Sequence, residues 1–149
     1  MVDDDALMEI ALAEAREAAE VGEVPVGAVV VVDDQIVARR HNERESLTDP
    51  TAHAELLALR DAASGMGSWR LTGATLVVTL EPCPMCAGAA WAARLDRVVY
   101  GAPNHEAGAL GSLYHLGSDP RMNHEFKVCH GVRTDECDDL LGDFFADRR

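Results

Sequence analysis

The chain has 149 residues, a length that suits one domain, and we expect a single domain over residues 1–149. Its hydrophobic share of 48% is enough for a packed core, and no stretch approaches the roughly 20 consecutive apolar residues of a membrane-spanning helix, so no membrane association is expected. The formal net charge of −13 argues against a protein that binds nucleic acid through a broadly basic surface. A solvated acidic surface with a local basic patch is compatible with this charge.

The first third of the chain predicts a helix followed by two strands. Residues 3–21 carry acids at the start and apolar residues on one face, and Gly22 supplies a stop, so this segment predicts a helix. Residues 26–32 (VGAVVVV) form a near-continuous apolar run, which is typical of a strand buried on both faces. The Asp-Asp pair that follows predicts a turn into a second strand over residues 35–40.

The middle of the chain predicts a helix and then a strand, a helix and a strand. Residues 49–64 open with an Asp-Pro pair, and aspartate is a good N-cap while proline is tolerated at the first helical position. Residues 75–80 (TLVVTL) and 97–100 predict strands, and an alanine-rich helix is expected between them from about residue 84 to 94. This order forms a βαβ unit, which requires two parallel strands joined by a right-handed crossover.

The last third predicts a short strand over residues 126–129 and a helix from residue 134 to about 147. The helix has one apolar face at the spacing i, i+3, i+4, i+7, i+8, and its members are Cys137, Leu140, Leu141, Phe144 and Phe145. Together the elements predict an α/β layered domain in which helices cover a mixed sheet.

Two short motifs carry candidate chemistry. Residues 50–55 (PTAHAE) contain H-x-E, and residues 81–86 (EPCPMC) contain P-C-x-x-C. One imidazole from His53 and two thiolates from Cys83 and Cys86 suit Zn²⁺ by their ligand softness. Three protein ligands leave a fourth tetrahedral position for water, which is the arrangement of a catalytic rather than a structural site.

Glu55 is the candidate proton carrier. It lies two positions from His53, and on an ideal helix side chains at this separation point roughly 200° apart, so Glu55 is a poor ligand for the same metal. If the metal lies beyond the helix tip, Glu55 can reach the adjacent water and act as a general acid and base. The spacing alone does not establish that geometry.

The N-terminus opens with acids and lacks a basic region, so we expect no signal peptide, a cytoplasmic location and few disulfides.

Other interpretations of the cysteines stay open at this point. The C-x-x-C motif also occurs in redox proteins, and a fourth ligand would make a closed structural zinc site. The histidines that could supply that ligand are His41, His105, His115, His124 and His130. Cys129 and Cys137 are most simply buried apolar residues.

The motifs resemble the cytidine deaminase superfamily, and the sequence as a whole is similar to the bacterial tRNA-specific adenosine deaminases. The similarity runs nearly from end to end of the chain. It is carried by residues 23–29 (EVPVGAV), Asn42, residues 49–55 (DPTAHAE), 79–88 (TLEPCPMCAG) and 97–102 (RVVYGA), the Gly-Ser pair at 111–112, residues 122–124 (MNH) and the Phe-Phe pair at 144–145.

The resemblance implies a three-layer α/β/α cytidine-deaminase-like domain with a central mixed five-stranded sheet. It implies that His53, Cys83 and Cys86 hold zinc and that Glu55 shuttles protons. It further implies roles in substrate binding, with the anticodon arm of a tRNA as partner, for Val26, Asn42, Asn123, Phe144 and Phe145. The family is a homodimer, and small residues in the helix after the C-x-x-C motif would permit close subunit contact.

Three functions therefore remain as hypotheses. The first is hydrolytic deamination of adenosine to inosine at the wobble position of a tRNA anticodon. The second is a deaminase of a free base or nucleoside such as guanine or cytosine, which the acidic composition favours. Asn104 and Glu106 stand where the family usually has Asp and Lys, and an anion at position 106 should weaken binding of RNA phosphate. The third is a non-catalytic zinc-stabilised binding module.

Overall fold

A mixed five-stranded sheet forms the centre of the structure, in the strand order β2-β1-β3-β4-β5. This computed structural model describes residues 2–148, so the two terminal residues of the predicted domain lie outside it. The elements in chain order are α1 (Asp4–Glu20), β1 (Gly27–Val32), β2 (Gln35–His41), α2 (Arg44–Leu47), α3 (Ala54–Met66), β3 (Thr75–Leu80), α4 (Pro84–Ala92), β4 (Arg97–Ala102), β5 (Lys127–Cys129) and α5 (Thr134–Ala146).

The sheet combines antiparallel and parallel pairs. Strand β1 is antiparallel to both β2 and β3, whereas β4 is parallel to both β3 and β5. Helix α4 connects the parallel strands β3 and β4, as the βαβ prediction required. The predicted α/β fold with a mixed five-stranded sheet is thus confirmed.

Helices cover both faces of the sheet and make two hydrophobic cores. Because successive side chains of a strand point to opposite faces, Val29 and Val31 of β1 pack with residues of α1 and α5, while Ala28 and Val30 pack with residues of α3 and α4. The near-continuous apolar run in β1 is therefore explained by burial on both faces.

Two local features place α1 against the sheet. The side chain of Asp3 accepts a hydrogen bond from the backbone N–H of Ala6 at 2.8 Å and so caps the helix. At Gly27, where β1 begins, a Cβ would overlap the backbone carbonyl of Ala11. A glycine is needed there because the helix backbone approaches the strand too closely for any side chain.

The predicted start of the second helix is wrong. Asp49 does not cap a helix but accepts hydrogen bonds from the backbone N–H and the hydroxyl of Thr51, at 2.8 and 2.7 Å, and so forms a tight turn. Helix α3 begins only at Ala54, with His53 as its N-cap in an extended conformation. The turn forms in place of the helix start that the Asp-Pro pair predicted, and it leaves His53 outside the helix.

Smaller differences concern the ends of elements. The four-residue helix α2 was not predicted, β4 continues to Ala102, and Phe126 precedes β5 rather than belonging to it. Within residues 2–148, no helix is long and apolar enough to cross a membrane.

Candidate active site

Three possible metal ligands converge at the N-terminal ends of two helices. His53 is the N-cap of α3, Cys83 is the N-cap of α4, and Cys86 lies in the first turn of α4. The Nδ1 atom of His53 is 3.7 Å from the Sγ of Cys83 and 3.6 Å from the Sγ of Cys86. One ligand atom from each residue lies within 4.8 Å of the others, so the three residues form a cluster that can hold one metal ion.

The spacing of the cluster fits a tetrahedral zinc ion. With Zn–S bonds of about 2.3 Å and Zn–N bonds of about 2.0–2.1 Å, a tetrahedral site separates sulfur from nitrogen by about 3.5–3.6 Å. The two measured separations, 3.6 and 3.7 Å, match this value. The side chains thus take the positions that such an ion requires, and the donor set of one imidazole and two thiols is one that zinc prefers.

The electrostatics of the cluster also favour a cation. A hydrogen bond from Cys86 and a further one with His53 outweigh burial and lower the pKa of the Cys83 thiol to about 4. The pKa of Cys86 is raised by that contact with Cys83, by burial and by the nearby Glu55. The protein alone therefore favours a thiolate at Cys83, and a positive ion between the sulfurs would favour a thiolate at Cys86 as well.

Glu55 lies beside this cluster and is almost fully buried, with 4% of its surface exposed. Burial raises the pKa of its carboxyl group, although the adjacent His53 acts in the opposite direction. Because His53 precedes the helix while Glu55 belongs to its first turn, the 200° separation expected on a continuous helix does not apply. Both side chains line the same cavity.

The cavity at the cluster has a volume of about 120 Å³. Its wall includes two residues that the resemblance assigned to the substrate, Val26 and Asn42, in addition to His53, Glu55 and Cys83. The amide of Asn42 is already held on both sides. Its Nδ2 donates to the carbonyl of Val24 at 3.3 Å, and its Oδ1 accepts from the backbone N–H of Arg44 at 3.1 Å.

The other three predicted substrate residues lie outside the cavity wall. The Oδ1 of Asn123 accepts a hydrogen bond from the indole N–H of Trp91 at 3.2 Å. Phe144 is 7% exposed and has the guanidinium of Arg148 over its ring at 3.5 Å, whereas Phe145 is 49% exposed and packs edge-on against Phe144 at 5.4 Å between ring centroids. Only Phe145 of this aromatic pair presents a large surface to solvent.

Two buried carboxylates that were not predicted as functional residues hold segments that contribute to the cavity wall. Glu23 accepts hydrogen bonds from the backbone N–H of Glu45 at 3.0 Å and from both the backbone N–H and the hydroxyl of Ser46 at 2.6 Å. It thereby fixes α2, whose Arg44 lines the cavity. Glu81 holds the segment that follows β4 in a similar way. The available signal was a single acid at the edge of an apolar motif, in EVPVGAV and in TLEPC.

The structure also bears on whether a further histidine could complete a closed structural zinc site. His41 lies 3.0 Å from the carboxylate of Glu14, and His124 is hydrogen-bonded to the carbonyl of Leu95 at 2.7 Å. Across the described part of the chain, the metal-binding cluster consists of His53, Cys83 and Cys86 with no fourth His, Cys, Asp or Glu ligand. The geometry therefore does not support a closed structural zinc site.

The two remaining cysteines differ from each other. Cys137 is buried, 1% exposed, in the core beneath β4, as predicted. Cys129 is only partly buried, and the Nη1 atom of Arg97 lies 3.8 Å from its sulfur, so the prediction of a buried apolar residue is wrong for Cys129. Cys129 nevertheless packs, partly buried, against the same core as Cys137.

Comparison with known proteins agrees with this site. Residues 1–102 match the family model for the cytidine and deoxycytidylate deaminase zinc-binding region. These residues include the H-x-E and P-C-x-x-C motifs and the four strands β1 to β4. The chain therefore belongs to the family of cytidine and deoxycytidylate deaminases.

Individual relatives place the chain more narrowly within that family. It is 47% identical over its full length to a tRNA-specific adenosine deaminase of Bacillus subtilis, of which it covers 92%, and 46% identical over 98% of its length to one of Haemophilus influenzae, of which it covers 85%. A solved structure from a study of A-to-I editing by tRNA:A34 deaminases superposes with a TM-score of 0.88 at 45% identity, covering 91% of this chain and 98% of the other. The chain is thus a member of the tRNA-specific adenosine deaminase group.

Proposed function

We propose that the protein deaminates adenosine to inosine at the wobble position of a tRNA anticodon, by zinc-assisted hydrolysis. The observation that carries the chemistry is the cluster of His53, Cys83 and Cys86 at a cavity that also contains Glu55. The substrate is inferred from the relatives, since the similarity to tRNA-specific adenosine deaminases extends over the whole chain. The reaction converts adenosine and water into inosine and ammonia.

Zinc would be held by the Nδ1 of His53 and by the thiolates of Cys83 and Cys86. When bound there, the ion lowers the pKa of a coordinated water so that the water can act as a nucleophile near neutral pH. The helix ends support the ligands, because the N-terminus of α4 presents free N–H groups and a positive dipole end to the two sulfurs.

Glu55 is proposed to move protons within the cavity. Its carboxylate takes one proton from the attacking water and delivers it to N1 of the adenine ring as the C6–O bond forms. It then takes the second proton from the oxygen now bound to C6 and delivers it to the amino group, which leaves as ammonia as the C6–N bond breaks and the C6=O bond forms. Burial raises the pKa of Glu55, which makes its carboxylate a stronger base and suits a group that must hold a proton between these steps.

The remaining wall of the cavity is proposed to hold the base. Val26 offers an apolar surface to the ring, and Asn42 keeps one N–H and one oxygen lone pair beyond the two hydrogen bonds that fix its amide. Those free groups can contact a polar edge of a base or its ribose. The fixed orientation of the amide would favour one hydrogen-bonding pattern over another.

Residues beyond the cavity are proposed to contact the anticodon arm. Phe145 provides an exposed ring on which a base can stack, supported by Phe144 beneath it, and Asn123 lies beside Trp91 on the surface of α4. At the end of β4, Asn104 lies in the cavity wall and Glu106 is exposed nearby. A neutral amide and an acid at these positions predict weaker phosphate binding than an acid and a lysine would give.

A homodimer in the cytoplasm is proposed on the basis of the same family resemblance. Helix α4 supports the dimer, because Gly88, Ala89 and Ala92 stay partly or fully exposed and would allow a second backbone to approach closely. The outer face of a helix with such small side chains offers little steric hindrance to close packing.

The test is an assay of deamination on matched substrates. The zinc-loaded protein is incubated with an anticodon stem-loop that bears adenosine at the wobble position, with the same stem-loop bearing adenosine only at another loop position, and with free guanine, cytosine and adenosine. Inosine in the first RNA alone supports the proposal. Ammonia from a free base or nucleoside alone would establish the second function, and no turnover from zinc-replete protein would favour the binding module.

A further inference from the structure

The carboxylate of Glu81 accepts four hydrogen bonds from the protein. Its Oε1 accepts from the backbone N–H of Asn104 at 3.1 Å and from the hydroxyl of Ser112, and its Oε2 accepts from the backbone N–H groups of Leu110 and Ser112 at 3.0 and 3.1 Å. Glu81 is 1% exposed. Although Glu81 lies in the cavity wall, each of its two oxygens is thus already occupied by two donors of the protein.

These donors belong to a single segment, residues 103–112, which we call the rim loop. The carboxylate contacts both the beginning and the end of the rim loop, and the backbone N–H of Ala109 donates to the carbonyl of Pro82 at 2.9 Å. The rim loop wraps around Glu81 so closely that a Cβ on Gly108 would overlap the carboxyl carbon. The loop has no helix or strand of its own, so these contacts, together with local backbone hydrogen bonds such as that from Gly108 to the carbonyl of Asn104 at 2.8 Å, determine its shape.

The rim loop reaches the cavity through Asn104, which lies in the cavity wall with Glu81 and Cys83. The side chain of Asn104 accepts from the backbone N–H of Ala107 at 3.1 Å, so its amide is oriented by the loop rather than by the sheet. Any movement of the rim loop relative to residues 81–83 would therefore move this part of the cavity wall relative to His53, Cys83 and Cys86.

We propose that Glu81 is a positioning residue that holds the rim loop at the cavity mouth and thereby sets the affinity for the nucleotides next to the deaminated base. This inference rests on the proposed function for its substrate, but the holding of the loop by Glu81 can be measured without any substrate. The carboxylate is specifically suited to the task, because each of its two oxygens accepts two hydrogen bonds. A glutamine would present an NH₂ group to two of these donors and leave them unpaired.

The experiment compares wild type with Glu81→Gln, Ser112→Ala and the control Glu20→Gln, which changes an exposed glutamate at the end of α1. Zinc content, kcat and KM on the wobble-adenosine stem-loop, and hydrogen exchange of the rim-loop amides are measured for each. For Glu81→Gln we expect full zinc, a KM raised about tenfold with kcat within about threefold, and amides of the rim loop that exchange at least about tenfold faster. Ser112→Ala should raise both the KM and the exchange rate of the rim-loop amides by about threefold.

Three results would overturn the proposal. One is an unchanged KM in Glu81→Gln at full zinc occupancy, and another is an exchange pattern like that of wild type. The third is a uniform loss of zinc, stability and kcat in both variants, which would show a merely structural role. If Glu81→Gln does not fold, Ser112→Ala decides, because it keeps the carboxylate and its backbone donors. If wild type does not deaminate the RNA, the proposed function fails, and the exchange comparison still shows whether Glu81 holds the loop.

Discussion

The Nδ1 of His53 lies 3.6 Å from the Sγ of Cys86, although 33 positions separate the two residues in the chain. They meet because α3 and α4 pack on the same face of the sheet with their N-terminal ends together. A site assembled from two such distant segments exists only in the folded chain, so a metal ion bound there would stabilise the fold.

Removal of one sulfur should release the metal. Loss of a residue that only hydrogen-bonds to a metal ligand lowers metal affinity by roughly 10–100-fold. In Cys86→Ala a direct ligand is lost, so we expect zinc affinity to fall by more than this. Thermal unfolding of the wild type should occur at lower temperature after treatment with a chelator, whereas that of Cys86→Ala should hardly respond. Zinc per chain, measured by mass spectrometry of metals, is the primary readout.

Cys129→Ala is the control for that experiment, since Cys129 lies at the end of β5 and outside the metal-binding cluster. It should retain the zinc content of the wild type. Equal zinc in all three proteins would mean that Cys86 is not a ligand.

Glu55→Gln should separate metal binding from turnover. The variant keeps the shape of the side chain but cannot carry a proton, so kcat should fall about 10²- to 10⁴-fold while zinc content stays at the wild-type level. The measurement is single-turnover formation of inosine together with metal analysis of the same sample. Turnover near that of wild type would remove Glu55 from the mechanism.

Salt should act in opposite directions on stability and on RNA deamination. Raising KCl from 0.1 to 1 M shortens the Debye length from about 10 to about 3 Å, which screens the self-repulsion of a chain with net charge −13 and should raise the unfolding temperature. The same salt weakens contacts with phosphates, so kcat/KM on the stem-loop should fall steeply.

A double variant in α5, Asp138→Asn with Asp139→Asn, tests the cause of the stability effect. Both side chains are exposed, so the variant removes two negative charges without disturbing the core. Its unfolding temperature should depend less on KCl than that of wild type. An equal dependence would show that repulsion among these acids is not the source.

Stability at acid pH should depend on Glu14. Burial alone would raise the pKa of this carboxyl, but hydrogen bonds with His41 and Arg39, at 3.0 and 2.8 Å, outweigh burial and hold the pKa below 4.5. Because the pKa is lowered in the folded state, the contribution of Glu14 to stability is present above about pH 4.5 and is lost as the pH falls through the lower folded value.

Denaturant unfolding of Glu14→Gln between pH 3 and 7 measures this contribution. The variant should be about 1–3 kcal/mol less stable than wild type at pH 7, and the difference should shrink toward pH 3. Glu17→Gln is the control, since the Glu17 side chain is 58% exposed and should change stability by less than about 0.5 kcal/mol. A difference between wild type and Glu14→Gln that stays constant with pH would contradict the assignment.

Local sequence signals predicted the regular elements well. The residues of β3 form a short apolar run between polar segments, and they were predicted at their observed bounds. Helix α1 differs from its prediction by one residue at each end, because Asp3 caps its start and the chain turns after Val21. Such signals depend on neighbouring residues, so they need no knowledge of the fold.

Where a short sequence was compatible with two local structures, its contacts with other residues determined which one formed. The Asp-Pro pair at 49–50 can open a helix or a turn, and the turn is formed because Thr51 offers two donors to Asp49. The short helix α2 carries no apolar pattern of its own and is held by Glu23, which precedes it by some twenty positions. Its existence could not be predicted from its own residues.

The sequence by itself determined the type of chemistry, because an imidazole, two thiols and a nearby carboxylate are recognisable as residue types at short spacing. Only the tertiary structure decided which of these groups share one cavity and which predicted residues do not. Val26 and Asn42 reach that cavity, whereas Asn123 and Phe145 lie on the surface beyond it. The physical reason is that ligand type is a property of a side chain, while distance across a sheet depends on how the strands and helices of the whole domain pack.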